Sequence, residues 1–275
     1  MKPRYNERYA NDPTSSRACI KQYRKFLAED VEGISLALFH YRGGKEEFDI
    51  ACEYCHSNDA KDRAAGADAM GQLGWQDRTF LQESLDILIP MLKDEDDYVK
   101  YCAAVALGHR NHPDAIPALL KLTNHPDDQV RYGVVFGLLE HEDPRAIIAL
   151  ITLSQDKNSE VRNWATFGLG TQIDTDSPEI RQALISNLTD KDHEIRGEAL
   201  LGLARRGYPN ITQELINEWR DNDISSLSLE AAEESADPRL FNRLQELASI
   251  FSDIDDEYFT DRLNCAIAAC TPAPH

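Results

Sequence analysis

No stretch of this 275-residue chain approaches the roughly 18 consecutive apolar residues that a membrane-spanning helix needs. The first residues, Met1 to Asn11, are polar and aromatic, without the hydrophobic region and small-residue cleavage site of a secretory signal. Together these absences predict a cytoplasmic protein with no membrane partner. Catalytic signatures are missing as well. There is no serine elbow, no phosphate-cradling glycine loop and no HExxH helix. Carboxylates are too abundant for any pair to stand out. The expectation is a non-enzyme without cofactor or metal.

Positive charge is also scarce: 29 Lys and Arg face 48 Asp and Glu, a net charge of −19. Most of the basic excess lies in residues 1–25, so the remainder carries −24. Such a field repels phosphate backbones and attracts basic surfaces. Direct nucleic-acid binding is thereby disfavoured and a basic protein partner favoured. The six cysteines sit mostly in apolar helical stretches, such as Tyr101-Cys102-Ala103-Ala104. With no export signal they read as reduced core residues rather than disulfides.

What the chain does have is a repeat. An acidic turn, a branched apolar residue and usually a basic residue lead into a helix rich in small residues. The pattern runs Asp97-Tyr98-Val99-Lys100, Asp128-Gln129-Val130-Arg131, Ser159-Glu160-Val161-Arg162 and His193-Glu194-Ile195-Arg196. Weaker copies surround Arg63, Ser225 and Thr260. The anchors fall at 63, 100, 131, 162, 196, 225 and 260, some 29 to 37 residues apart.

Each anchored helix follows another with apolar spacing of three and four, expected over residues 80–92, 114–122, 144–153, 178–188, 211–219 and 238–251. Several open on proline, which suits a helix start. The unit is a helical hairpin that buries its face only by stacking on its neighbours. The fold class is all-α, a right-handed α-solenoid of about seven hairpins. Residues 17–29 and 31–41 read as two helices of an N-terminal cap, residues 1–16 as a mobile arm, 17–271 as the solenoid, and 271–275 as a tail.

This pattern resembles the HEAT repeat, in the short bacterial form called PBS-lyase HEAT-like. Tyr41-Arg42-Gly43-Gly44, Ile50-Ala51-Cys52-Glu53-Tyr54-Cys55, Met70-Gly71-Gln72-Leu73 and Val161-Arg162-Asn163-Trp164-Ala165 are similar to small bacterial HEAT proteins of the YibA type. That resemblance implies association with Rhs-type toxin elements and an immunity role. It also implies a hydrogen-bonded ladder of anchor acids and bases, here Asp97, Lys100, Asp128, Arg131, Arg162 and Arg196. Lys100 and Ser225 depart from the arginine of the pattern.

With the basic anchor at zero, positions −1, +3, +6 and +7 face the core, while +1, +5 and +9 turn toward the concave surface. Those positions hold Tyr101, Tyr132, Asn163 and Gly197 at +1, and Val105, Phe136, Phe167 and Leu201 at +5. At +9 stand His109, Glu140, Thr171 and Arg205, and Trp164 lies at +2. The outer copies carry Asp68 and Glu230 at +5. An apolar, aromatic stripe framed by acids is the expected partner-binding surface. The competing reading packs the +5 residues between repeats.

Two motifs are discounted. Cys52-Glu53-Tyr54-Cys55-His56 has the spacing of haem-attachment, redox and zinc motifs, but places both sulfurs on one core-facing helix side. His112-Pro113-Asp114 and His125-Pro126-Asp127 match the co-chaperone tripeptide, but fall in interhelix turns where Pro and Asp start helices.

The leading functional reading is a protein-binding module, monomeric when free. In its most concrete form it is an immunity protein holding a basic, Rhs-type toxin domain. A bilin-lyase-type subunit, a general assembly scaffold and a HEAT-like DNA glycosylase are the alternatives, the last opposed by the acidic body.

Overall fold

The computed structural model describes residues 12–27, 36–74, 77–222, 224–253 and 255–273. Expectations for residues 1–11, 28–35 and 274–275 therefore lie outside the described residues. Sixteen α-helices, linked by short turns and 3₁₀ segments, account for the described architecture, and no strand occurs among the described residues.

Helix starts come from one local device. Asp59, Asp96, Asp127, Asn158, Asp192, Ser225 and Asp256 are each an N-cap whose side chain accepts from backbone N–H groups two or three residues on. An oxygen there satisfies donors that the first helical turn leaves unpaired. The capped helices are α4 (Ala60–Gln72), α6 (Asp97–Arg110), α8 (Asp128–Leu138), α10 (Ser159–Phe167), α12 (His193–Arg205), α14 (Ser226–Ser235) and α16 (Glu257–Ala269). A π-helical turn, Gly168–Gln172, prolongs α10.

Each follows a partner helix: α3 (Lys45–Cys55), α5 (Leu81–Met91), α7 (Ile116–Leu119, with 3₁₀ turns at both ends), α9 (Pro144–Leu153), α11 (Pro178–Asn187), α13 (Ile211–Glu218) and α15 (Phe241–Ile250). Two helices precede them, α1 (Ser16–Lys25) and α2 (Ala37–Arg42). Ser16 opens α1, is buried, and donates to Glu47 at 2.6 Å.

The chain is thus an all-α solenoid of helical hairpins, and its helices gather into two units, one ending at Ala146 and the other beginning at Ile147. In the first, α6 packs between α4 and α8. In the second, α10, α12, α14 and α16 pack in succession. The cores are aliphatic: Val99, Leu107, Val130 and Val134 in one, Ile195, Leu203, Leu215 and Leu244 in the other, all fully buried.

Small residues let neighbouring second helices touch along their backbones. A Cβ added at Gly108 would stand 2.5 Å from the carbonyl oxygen of Phe136. No side chain can swing aside there, because the obstacle is backbone. Gly108→Ala is expected to cost about 1–3 kcal/mol by forcing α6 and α8 apart. Urea unfolding followed at 222 nm checks this, and an unchanged midpoint would contradict the tight contact.

The cap periodicity revises one register. Counting four residues on from each N-cap recovers the anchors Arg63, Lys100, Arg131, Arg162, Arg196 and Thr260. In the sixth repeat it gives Leu229 rather than Ser225, since Ser225 is itself the cap. Glu230 accordingly occupies the position next to the anchor, not one turn further along. The misreading arose because serine there resembles a degraded anchor, whereas its hydroxyl accepts from the Ser228 N–H.

Candidate functional site

Three anchor arginines, Arg63, Arg162 and Arg196, form rungs with acids outside the expected set. The Arg63 Nε and Nη2 donate to both oxygens of Asp94 at 2.7 and 2.8 Å. Arg162 does the same to Asp190 at 2.8 and 3.2 Å. The Arg196 Nε donates to both oxygens of Glu218 at 3.0 and 2.9 Å. In each case Nη1 also donates to two carbonyls of the preceding turn. Arg131 reaches His125 O and Pro126 O in the same way.

The partner acids are thus supplied by the next interhelix turn or helix end. Asp97 pairs with Lys100 inside its own first turn, and Asp128 opens α8 one residue past its cap. Asp94 and Asp190 each stand six residues before the next anchor, and Glu218 ends α13. At Lys100 the position six ahead of the next anchor is His125, not an acid. The His125 Nε2 instead stands 3.5 Å from the Asp97 oxygen that holds Lys100.

The proposed stripe divides between the two units. In the first, Tyr98, Tyr101, Tyr132 and Phe136 form a continuous row of partly exposed rings, with centroids 5.6, 6.2 and 5.1 Å apart in that order. Val105 and His109 are also partly exposed, and Glu140 is fully so, accepting from the Asn111 amide at 3.1 Å. In the second, Trp164 and Phe167 meet edge to face at 5.4 Å. Asn163 and Thr171 are partly exposed there, and Arg205 is exposed and donates to Thr171 O.

Two of the named residues do not belong to an exposed stripe. Gly197 is buried and Leu201 is 4% exposed. A Cβ at Gly197 would lie 2.8 Å from the Leu227 Cβ, so α14 settles close onto α12 where no side chain holds it off. Leu201, one turn further on, is covered as well. The packed alternative holds at this repeat, while rings at the same register in α8 and α10 keep an open edge.

Sequence reasoning missed a pocket in the first unit. Asp68 on α4, assigned only to the acidic frame, forms its floor. Tyr23 and His40 of the first two helices and Gln72, Tyr98, Tyr101 and His109 contribute walls around a cavity of about 560 Å³. The Tyr23 hydroxyl donates to Asp68 at 2.8 Å, and the Cys102 thiol also donates to it. Burial pushes the Asp68 carboxyl up to about 6, and those two donors limit the rise. Burial, helped by His40 and Arg110, lowers His109 and keeps its ring neutral. The available signal was register: Asp68 stands where the following repeats carry Val105 and Phe136.

A second partly buried acid lies in the other unit. Glu198 is raised to about 7 by burial, with Glu194 and Glu230 adding to the effect, and its Oε2 has no hydrogen-bond partner. Among the described residues, no group of three His, Cys, Asp or Glu is placed to hold a metal. Cys55 is buried in α3 and its thiol is pushed up by that burial, while Cys52 is partly exposed and His56 fully exposed. No described helix is long and apolar enough to cross a membrane.

The family of HEAT repeats matches three overlapping stretches of the chain, residues 48–138, 116–179 and 149–236. Among solved structures, YibA of Escherichia coli is similar over 97% of each chain, with 24% identity and a TM-score of 0.65. The complex of CpcE and CpcF of phycocyanin lyase from Nostoc sp. is 19% identical, covering 94% of this chain and 96% of that one, with a TM-score of 0.50. An engineered protein matches at 17% identity over 93% and 78% of the respective chains, also with a TM-score of 0.50. These likenesses establish the fold. No curated protein matches the chain.

Proposed function

The chain belongs to the HEAT-repeat family, and from that premise we propose that it is a non-catalytic module that docks a basic protein on the exposed face of its second helices. One observation carries this reading: the row of partly exposed rings from Tyr98 to Phe136, on a body of strongly negative charge. Rings left open to water at this density mark protein contacts, since each gains apolar burial on docking. Negative charge speeds encounter with a basic surface, and ring burial slows release.

The occupant we propose is a basic toxin domain of the Rhs type, held inactive by the complex. Support comes from the resemblance of Tyr41 to Gly44, Ile50 to Cys55 and the Val161-Arg162-Asn163-Trp164 anchor to YibA-type proteins. The test is co-expression with the product of the neighbouring reading frame, followed by titration. Phe136→Ser and Phe167→Ser should each weaken binding about ten- to a hundredfold, from the loss of roughly 1.5–3 kcal/mol of ring burial. The association rate should also fall as salt rises. Binding unchanged in both folded variants would remove this face from the interface. A phycobiliprotein as the co-purifying product would favour a lyase subunit instead.

A further inference from the structure

Asp68 differs from the acids of the arginine rungs. Asp94, Asp190 and Glu218 each meet a guanidinium. Asp68 has two hydrogen-bond donors, Tyr23 and Cys102, and no lysine or arginine among the described residues pairs with it. A carboxylate withdrawn from water with no cation is unfavourable for the free protein and becomes favourable once a cation arrives.

The surroundings of Asp68 specify what kind of cation. Lining the same cavity, the Tyr98 and Tyr101 rings, with centroids 5.6 Å apart and tilted by 41°, supply aromatic surface for a positive group. Gln72 adds an acceptor, its Oε1 3.3 Å from His40 Nδ1. At about 560 Å³ the cavity is in the range of small-ligand pockets, with room for one long side chain and the backbone that carries it. A guanidinium matches this set better than an ammonium. It is planar, stacks on aromatic faces, and directs five donors at separate acceptors, whereas an ammonium is a compact, strongly hydrated point charge.

We propose that this pocket is an arginine-binding subsite, taking one arginine side chain of a docked basic protein against the Tyr98 and Tyr101 rings and onto Asp68. The assignment rests on the reading of the ring face as a docking surface, because the Tyr101 ring continues from the pocket into the row at Tyr132. It names the residue type on which the partner is anchored.

The test uses the full chain and three small probes: N-acetyl-arginine amide, its lysine counterpart and its uncharged citrulline counterpart, titrated by calorimetry or NMR. Arginine amide should saturate, with the citrulline probe at least about tenfold weaker and the lysine probe weaker than arginine. Asp68→Asn should reduce arginine binding about tenfold and Tyr101→Leu should weaken it, while Phe167→Ser in the other unit leaves it unchanged.

The absence of saturable arginine binding would overturn the subsite, as would equal binding of the citrulline probe or indifference to Asp68→Asn. A lysine probe that binds as tightly as arginine would overturn the choice of residue. The probes also separate this inference from the broader reading. If arginine amide saturates the pocket but no basic protein docks, the proposed function fails alone. If a basic protein docks while the probes do not bind, only the subsite fails.

Discussion

Arg206→Ala should destabilise the protein by about 4 kcal/mol, the largest single-residue effect expected outside the aliphatic core. The Arg206 side chain is only 5% exposed. Its Nη1 donates to Gly170 O and Gly202 O at 2.9 and 3.0 Å. Its Nη2 reaches Leu169 O, Ile173 O and Thr175 O at 2.7, 3.0 and 3.1 Å. One guanidinium thus gathers carbonyls from the π-helical turn after α10, the segment following it and the end of α12. The carbonyls of Leu169, Gly170 and Gly202 lie in the last turns of helices, at the negative end of their dipoles, where a positive charge is favoured.

Alanine would leave them without a donor in a cramped space. Arg206→Lys should recover less than half of the loss, since one ammonium cannot span the set. Arg205→Ala beside it is the control. That side chain is exposed and makes a single 3.3 Å bond, so its removal should cost less than about 0.5 kcal/mol. Thermal melts and urea unfolding of the three variants check the order. A midpoint for Arg206→Ala close to that of Arg205→Ala would show that water replaces the guanidinium without penalty.

Arg110 plays the matching part in the first unit. It is fully buried, with Nη1 and Nη2 on Leu73 O and Thr79 O at 2.5 and 2.6 Å. Burial lowers its guanidinium to about 10, which leaves it charged at neutral pH. Each of these arginines stands fourteen residues after its N-cap, Asp96 or Asp192. Each arginine therefore ties the end of its own helix to carbonyls that follow the preceding second helix.

Asp68→Asn should act in the opposite direction and stabilise the protein at pH 8 by about 1–3 kcal/mol. The sign follows from linkage. In the unfolded chain an aspartate titrates near 3.9, and in the fold burial holds Asp68 at about 6. Between those values the folded state binds the extra proton, so stability from this group falls as pH rises from about 4 to 6 and stays reduced above. Asparagine keeps an oxygen for the Tyr23 hydroxyl and has no charge to desolvate.

The advantage of the variant should therefore disappear near pH 4.5. Denaturation of both proteins at pH 4.5 and pH 8 measures it. If Asp68→Asn is less stable at pH 8, the carboxylate is held by its donors as a structural group. If it is more stable there and also loses arginine binding, the position gives up stability for recognition, the pattern expected of a binding site.

Much of the hairpin order was legible from the residues themselves. The caps from Asp59 to Asp256, the prolines at 144 and 178, and the three-and-four spacing of Leu and Ile act within one or two helical turns, so local sequence carries them. The small residues of the second helices likewise announced close backbone approach, as the contact at Gly108 bears out.

Other features depend on which repeat faces which, a matter of contacts between residues some 20 to 45 positions apart. The rung acids are Asp94, Asp190 and Glu218 because a neighbouring turn or helix end meets the arginine. Leu201 is covered because a glycine at 197 lets α14 approach, whereas Tyr132 and Phe136 are not. At the pocket Tyr23, in the first helix, reaches across 45 positions to Asp68, which only its register, shared with Val105 and Phe136, set apart in the sequence. Periodicity along a chain determines which side of a helix is apolar. Only the packed neighbours decide whether the other side is closed, open or hollow.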